Sequence, residues 1–435
     1  MNKIITLAIA FLIFVPFASI NGSNVHTIIT SNGVLYVGGS GPNNYTSIQS
    51  AINDAENGYT IFVYYGNYNE SVVINKSISL IGIEKNGEKP IIDGGGRNFA
   101  VNITADRCTL KGFVMKSKEV LVAPEEPPAC KIRSDGNVIE YNTFMYGRCS
   151  FYLDQSSYNS IKNNEITKGY WSGLQVDHCE NNFIIHNTLK DNMAEGLEIN
   201  GGSNNVVSYN NITKNCDGIE LWYTDDAIIS FNHIYSNDQY GITACACSNL
   251  SILNNSIHNH AYGGLLLTDC SYCTISGNEI YSNQGGVMIQ SGTGYITSNN
   301  NVVTWNEVYS NGVGIYLEFY CENNHIKYNN LIDNDRNAYF WFFEQPFPNV
   351  WDRNYWSDWS LSTPKPVKGT LDVVIDVFRF SFLFRIPWFM FDKHPAMEPY
   401  GNFTLNAEHD GHAMEKGFIP SLPLIHHPLF SRVSK

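Results

Sequence analysis

Charge is scarce in this chain: only 16% of its 435 residues are Asp, Glu, Lys or Arg, with 41 acidic against 27 basic. No cluster of lysine or arginine occurs, which excludes a nucleic-acid phosphate backbone as a partner. A methionine- or histidine-rich surface of the kind that handles copper is also missing, so a copper role is disfavoured. The cysteines and histidines match no standard zinc spacing. The N-terminal apolar run, Ile4 to Phe17, is too short to cross a bilayer comfortably. It follows Lys3 and precedes the small residues Ala18, Ser19 and Gly22, the layout of a secretory signal over residues 1–22. A secreted, cell-surface or periplasmic protein is expected, with no transmembrane span in the mature chain.

What the chain does have is repetition. An asparagine two residues ahead of an apolar residue recurs at Asn142, Asn164, Asn187, Asn210, Asn232, Asn255, Asn278, Asn306, Asn329 and Asn354. The intervals run from 22 to 28 residues, most of them 22 or 23. A Gly-apolar-x-apolar phrase keeps step with it, as GLQV at Gly173, GLEI at Gly196, GIEL at Gly218, GLLL at Gly264, GVMI at Gly286 and GIYL at Gly314. Self-similarity at this period means a solenoid. The units hold short β-prone runs broken by Asn, Gly and Ser rather than a leucine-rich half-helix, so each reads as one coil of a parallel β-helix. Coils stack at about 4.8 Å, the interstrand distance, and about a dozen make a rod of roughly 55 Å. Leu197 and Ile199 then point inward and Glu198 outward. The asparagine column reads as a ladder of buried amides at a corner, with Asn also tolerating the left-handed backbone a sharp turn needs. The glycine column marks another corner. Both are structural.

The pattern resembles the right-handed parallel β-helix proteins of the NosD type, and the wider group of carbohydrate-binding and sugar-hydrolase β-helix domains, over roughly residues 35 to 400. The opening stretch YTSIQSAINDAENGYTIFVYYGNYNESVVINKSISLIG followed by IIDGGG is similar to the start of pectate-lyase-like and pectinesterase-like β-helices. NYWSDW at Asn354 and DKHPAMEPY at Asp392 resemble the closing segment of secreted NosD-like proteins. The resemblance implies a carbohydrate-related β-helix; NosD proper implies an accessory role in periplasmic copper-site maturation. The aspartate motifs of polygalacturonase-like hydrolases are absent, and so is the Asp-Pro-His signature of alginate epimerases, since His178 follows Asp177 without a proline.

The organisation expected is an all-β, right-handed parallel β-helix over 35–360, an aromatic capping segment over 361–400 and a loosely held tail over 401–435. TSIQ at Thr46–Gln49 fits a capping box, placing a short helical lid at 46–56. Phe378, Phe380, Phe382 and Phe384 alternate with Arg379, Ser381, Leu383 and Arg385. This reads as a hairpin packed over the last coils, with a membrane-interface or partner-binding flap as the alternative. Ten cysteines in a secreted chain point to disulfides. Cys247 and Cys270 each lie six residues after a coil glycine, so a bond between them is expected.

Counting outward columns from the coil glycines gathers acids on three successive coils between about 170 and 226. Glu198 should stack beside Glu220, Glu195 beside Asp217, and Asp177 in the column of Asn200 and Trp222. Adjacent carboxylates cannot both ionise freely: either one keeps a proton or a cation such as Ca²⁺ bridges them. The candidate catalytic residues are therefore Glu198, Glu220 and Asp177. Substrate contacts are expected from Trp222, Tyr223, Trp171, Tyr170, Asn200 and Asp225, and calcium ligands from Glu195, Asp217 and Asp226. An elimination would need a base, for which Lys168, Lys190 and Lys214 are candidates. An extended acidic polysaccharide or cell-envelope glycan bound along the flank is the function expected, with a polysaccharide lyase, hydrolase or epimerase as the alternative and an acid patch kept only for solubility as the plain reading.

Overall fold

The structure, a computed structural model, describes residues 33–96, 99–119, 127–292, 297–377 and 380–401. The signal expected at 1–22 and the tail from 402 onward lie outside the described residues. Each coil has three strands and three corners. In a typical turn Glu195–Ser203 is followed by Val206–Ser208 and Asn211–Thr213, and the next coil opens with Asp217–Trp222. The first two strands of successive coils merge into a 28-stranded sheet, and the third strands form a 13-stranded one. Apart from the C-terminal hairpin, the strand pairings among the described residues are parallel and join a strand to its counterpart one coil away. The chain thus winds as a solenoid of about thirteen turns, with the right-handed connection that parallel strands require. Inside, Leu174, Leu197, Ile219, Ile242, Leu265, Val287 and Ile315 form one continuous aliphatic stack, all fully buried.

The corners explain the asparagines. Asn187 donates its backbone N–H to Asn210 Oδ1 at 2.8 Å, and its Nδ2 to Asn210 Oδ1 at 3.1 Å and Ile161 O at 2.8 Å. The same bonds repeat from Asn142 through Asn329. The ladder ends on an acid: Asp392, fully buried, accepts from Asn354 N (2.9 Å), Asn354 Nδ2 (3.0 Å), Trp356 Nε1 (3.0 Å) and Arg353 N (3.0 Å). Its carboxylate takes the place of the next amide.

One sequence expectation about this corner is corrected. The left-handed residue is the one before each ladder asparagine, at Tyr141, His186, Tyr209, Phe231, Trp305 and Tyr328, with φ between 55° and 58°. The asparagine side chain must point inward, so its predecessor carries the bend and points out. The cost of that backbone on bulky residues is offset by stacking: Tyr209 and Phe231 lie 5.0 Å apart at 4°, Trp305 and Tyr328 4.7 Å apart at 8°.

The other two corners carry ladders that a single-column reading overlooks. One runs Asn137, Asn159, Asn182, Asn205. The other runs Asn192, Asn215, Asn237, then His260 in place of an amide, then Asn283, Asn311 and Asn334. This last ladder accounts for the glycine column. A Cβ on Gly196 would stand 2.8 Å from Asn215 Nδ2 and 2.8 Å from Gly218 O, so these glycines serve close approach, not an unusual φ.

At the N-terminal end a helix, α1 (Ile48–Asp54), buries Ile48, Ala51 and Ile52. Its N-cap is Ser47, one residue later than the capping box read from the sequence. The reciprocal carboxylate is not local: Glu70 accepts from Ile48 N at 2.8 Å and Gln49 N at 3.0 Å.

At the other end, Lys365–Val377 and Phe380–Asp392 form an antiparallel hairpin. Its first strand pairs in parallel with the last coil, Phe340 opposite Gly369 through Phe343 opposite Asp372. Arg385 and Asp372 form a bidentate pair at 2.8 and 2.9 Å. Packing over the coils stops near there. Phe382, Leu383 and Phe384, 49–60% exposed, face residues past Asp372, where the pairing with the last coil has ended. Trp388, Phe389 and Phe391, 39–51% exposed, lie on the outer strand opposite Gly369, Lys368 and Pro366. The hairpin expected from the alternation is present, but it does not cover the last coils with its aromatic residues.

All ten cysteines are free thiols, most of them buried. The expected Cys247–Cys270 bond is absent, although Cys270 hydrogen-bonds to Cys247. Parallel in-register positions hold their Cβ atoms about as far apart as the coils, about 4.8 Å, whereas a disulfide needs them near 3.8 Å.

Candidate functional site

The long strands position the acid patch. Glu195 lies opposite Asp217, Glu198 opposite Glu220, and Asp177, Asn200 and Trp222 occupy one column. Inward neighbours Leu197, Ile199, Ile219 and Leu221 are fully buried, which fixes the strand faces and aims the acids outward. The patch is bracketed by aromatics. Trp222 and Tyr223 sit at one edge, ring centroids 6.2 Å apart. Tyr170 and Trp171 form the opposite corner, where Trp171 O accepts from Ala194 N, the residue preceding Glu195.

The carboxyls are crowded and largely dry. Burial, with the charges of Glu220 and Glu198, pushes Glu195 up to about 8. Burial, with Glu220 and Asp177, pushes Glu198 up to about 7, against the opposing charge of Arg148. Asp217 rises to about 6 through burial, although Tyr240 N donates to its Oδ1 at 2.8 Å. Glu195 Oε2 and Glu198 Oε2 are buried and have no hydrogen-bond partner among the described residues. At neutral pH the cluster therefore retains protons, the state a general acid requires.

Asp177 differs: Tyr152 Oη donates to its Oδ2 at 2.9 Å and Gln175 Nε2 lies 3.2 Å from the same atom. Burial and Asp177 together raise the Tyr152 phenol well above its ordinary value. Asp225 is set apart, accepting at Oδ1 from Ser248 N at 3.1 Å and Ser248 Oγ at 2.6 Å.

The calcium set is not brought together. Glu195 and Asp217 are neighbours, but Asp226 sits beyond the far corner with φ 55°. The six-residue strand Asp217–Trp222 lies between them, about 17 Å of extended chain. Among the described residues no three His, Cys, Asp or Glu converge as a metal site. Two of the lysines proposed as bases do not join the acids either. Lys190 lies on the 13-stranded sheet with Nζ 2.9 Å from Glu165, and Lys168 faces Tyr146 Oη at 3.4 Å.

Arg148, Tyr152 and Tyr240 were not found from the sequence. Tyr152 pairs directly with Gln175, one coil before the glycine series begins. Ser150 stands there in place of the coil glycine, so a count from the glycines begins one coil too late.

A family model described as "Right handed beta helix region" matches residues 149–303. The chain is a right-handed β-helix. No curated protein matches it. Among solved structures, this β-helix is similar to the A-modules of two Azotobacter vinelandii mannuronan C-5 epimerases. AlgE6 is 16% identical, with 70% of this chain and 92% of that one covered, at a TM-score of 0.60. AlgE4 is 14% identical over 70% and 94%, also at 0.60. The Dettilon tailspike protein gp208 is 14% identical over 81% of this chain and 76% of its own, again at 0.60. At such identities the likeness establishes the fold.

Proposed function

We propose that this β-helix binds an extended glycan along its long-strand face, centred on the acid patch. The observation that carries this is the bracketing of the half-buried carboxyl pairs by Trp171 and Trp222 at opposite edges of one face. Rings offer apolar planes to sugar faces, and carboxylic acids both donate to and accept from hydroxyls. An uncharged chain suits the face better than an acidic one, because Arg148 is the cation that acts on Glu198 and the chain carries a net charge of −14. The solved neighbours include mannuronan C-5 epimerase modules and a tailspike protein, which is consistent with a glycan ligand. The leader read at 1–22 and the NosD-like motifs favour action outside the cytoplasm. Titration calorimetry against a panel of neutral and acidic polysaccharides tests the reading. Binding weakened in Trp222→Ala is the expected result, and no binding of the unaltered protein to any member would overturn it.

A second reading is favoured by the raised Glu198 carboxyl: acid–base cleavage of the bound glycan, with Glu198 as proton donor and Glu220 as its partner on the next coil. Two in-register carboxyls about 5 Å apart approach the separation of a retaining pair. Release of reducing ends, abolished in Glu198→Gln and Glu220→Gln, supports this reading; binding without turnover leaves the module alone.

A further inference from the structure

The long-strand face does not end at the acids. From Asp217 the column passes to Tyr240, Gly263, Gly285, Val313 and Arg336. From Glu220 it passes to Thr243, Leu266, Met288, Tyr316 and Tyr339. Both columns run five coils, about 24 Å, and both finish in one pocket of about 620 Å³ at the foot of the hairpin. That volume lies in the range of small-ligand sites. We propose that this pocket is an end subsite of the same face, receiving a terminal, uncharged sugar unit of the glycan. The inference rests on the glycan reading and adds where the chain ends and what charge its end bears.

The lining is balanced in charge. Asp333, Asp335 and Asp358 face Arg336, Lys365 and Lys368, so neither an anionic nor a cationic ligand is favoured. One ion pair in the lining is already satisfied. Lys365, 8% exposed, donates to Asp358 Oδ2 at 2.7 Å, and Asn337 Nδ2 donates to Asp358 Oδ1 at 2.9 Å. The same ammonium lies 5.6 Å from the Trp356 ring centroid and 5.1 Å from that of Trp359. On the open side the Arg336 guanidinium lies over the Tyr339 ring at 4.4 Å, and Tyr339 stacks on Tyr316 at 5.9 Å. Flat rings beside neutralised polar groups match the two-sided character of a sugar, apolar on its faces and hydroxylated at its rim.

The test is calorimetry on the full chain with neutral linear oligosaccharides of increasing length, drawn from β-1,4-glucan, xylan and mannan series, each with free and with chemically blocked ends. Two exposed positions make the variants: Arg336→Ala removes a contact, and Lys368→Trp fills the mouth. Affinity is expected to step up once an oligosaccharide spans the distance from the acids to the pocket. Each variant should abolish that step, lowering affinity for the long chains about tenfold, while short chains bind as to the unaltered protein. Blocking the chain end should reproduce the loss. If both variants bind every length normally while Trp222→Ala loses affinity, the end subsite is refuted and the glycan reading stands. If the unaltered protein binds no glycan, both readings fall. The same chains carrying a terminal uronate are titrated alongside, and an affinity about tenfold higher for them than for the neutral-ended chains overturns the assignment of charge.

Discussion

Two stretches of the same face differ sharply on a common backbone. In the coils at Glu195–Ser203 and Asp217–Trp222 the outward residues are carboxyls, Asn200 and Trp222. Three coils on, at Gly263–Thr268 and Gly285–Gln290, the positions of the carboxyls hold Gly263, Leu266, Gly285 and Met288, while Thr268 and Gln290 follow in the column of Asn200 and Trp222. Inward, the two stretches are interchangeable: Leu197 and Ile219 stack in the column of Leu265 and Val287, all fully buried. The outward column is free to vary because coil stacking is carried by backbone bonds, corner amides and the inner stack. Chemistry can therefore be concentrated on a few coils without any change of fold.

That contrast makes the largest expected effect one that ignores position. Asn210→Ala in the acid coils and Asn278→Ala in the apolar ones should each cost about 3 kcal/mol, since each leaves buried donors and acceptors unpaired. Chemical denaturation measures both, and a clearly smaller loss at Asn278 would break the equivalence of the coils. Binding comes next and should depend on position. Trp222→Ala is expected to weaken glycan affinity about tenfold with an unchanged melting temperature, whereas Met288→Ala leaves affinity unaltered.

The pH response sharpens the difference further. Glu195, Glu198 and Asp217 are raised to about 8, 7 and 6. Between their unfolded values and these folded ones, the native state holds more protons than the unfolded state. Their contribution is thus fully present at acid pH, and stability falls as pH rises from about 4.5 towards 8. Glu195→Gln removes an ionisation that burial opposes, so it should stabilise by about 1–2 kcal/mol at pH 8 and leave stability unchanged at pH 4. Thermal melts across that range decide it; a stabilisation independent of pH would show that the carboxyl is not strained. The smallest effect belongs to the hairpin, where Phe382→Ser with Phe384→Ser should move stability by less than about 0.5 kcal/mol while reducing binding of an apolar dye.

Much of this architecture could be read from spacing. The ten asparagines from Asn142 to Asn354 disclose the coil length, and the same count set Glu198 beside Glu220. What escaped the count was whatever broke the pattern. Ser150 replaces a coil glycine and hid Tyr152 and Arg148; His260 replaces an amide and obscured the ladder of Asn192. Asp392 closes the principal ladder from 38 residues beyond Asn354, a separation that periodicity does not encode. The Cys247–Cys270 bond failed for a different reason, since register gives proximity along the stack but not convergence of side chains.

The amino-acid order alone determined the period, the inward and outward faces and which residues share a column, because each follows from a strand's two-residue alternation and a constant coil length. Only the folded chain decided which acids are dry enough to keep protons, which corner residue bears the left-handed bend, and that two outward columns end in one pocket. Those outcomes depend on what surrounds a group in three dimensions, where desolvation and close approach are set by neighbours drawn from several coils at once.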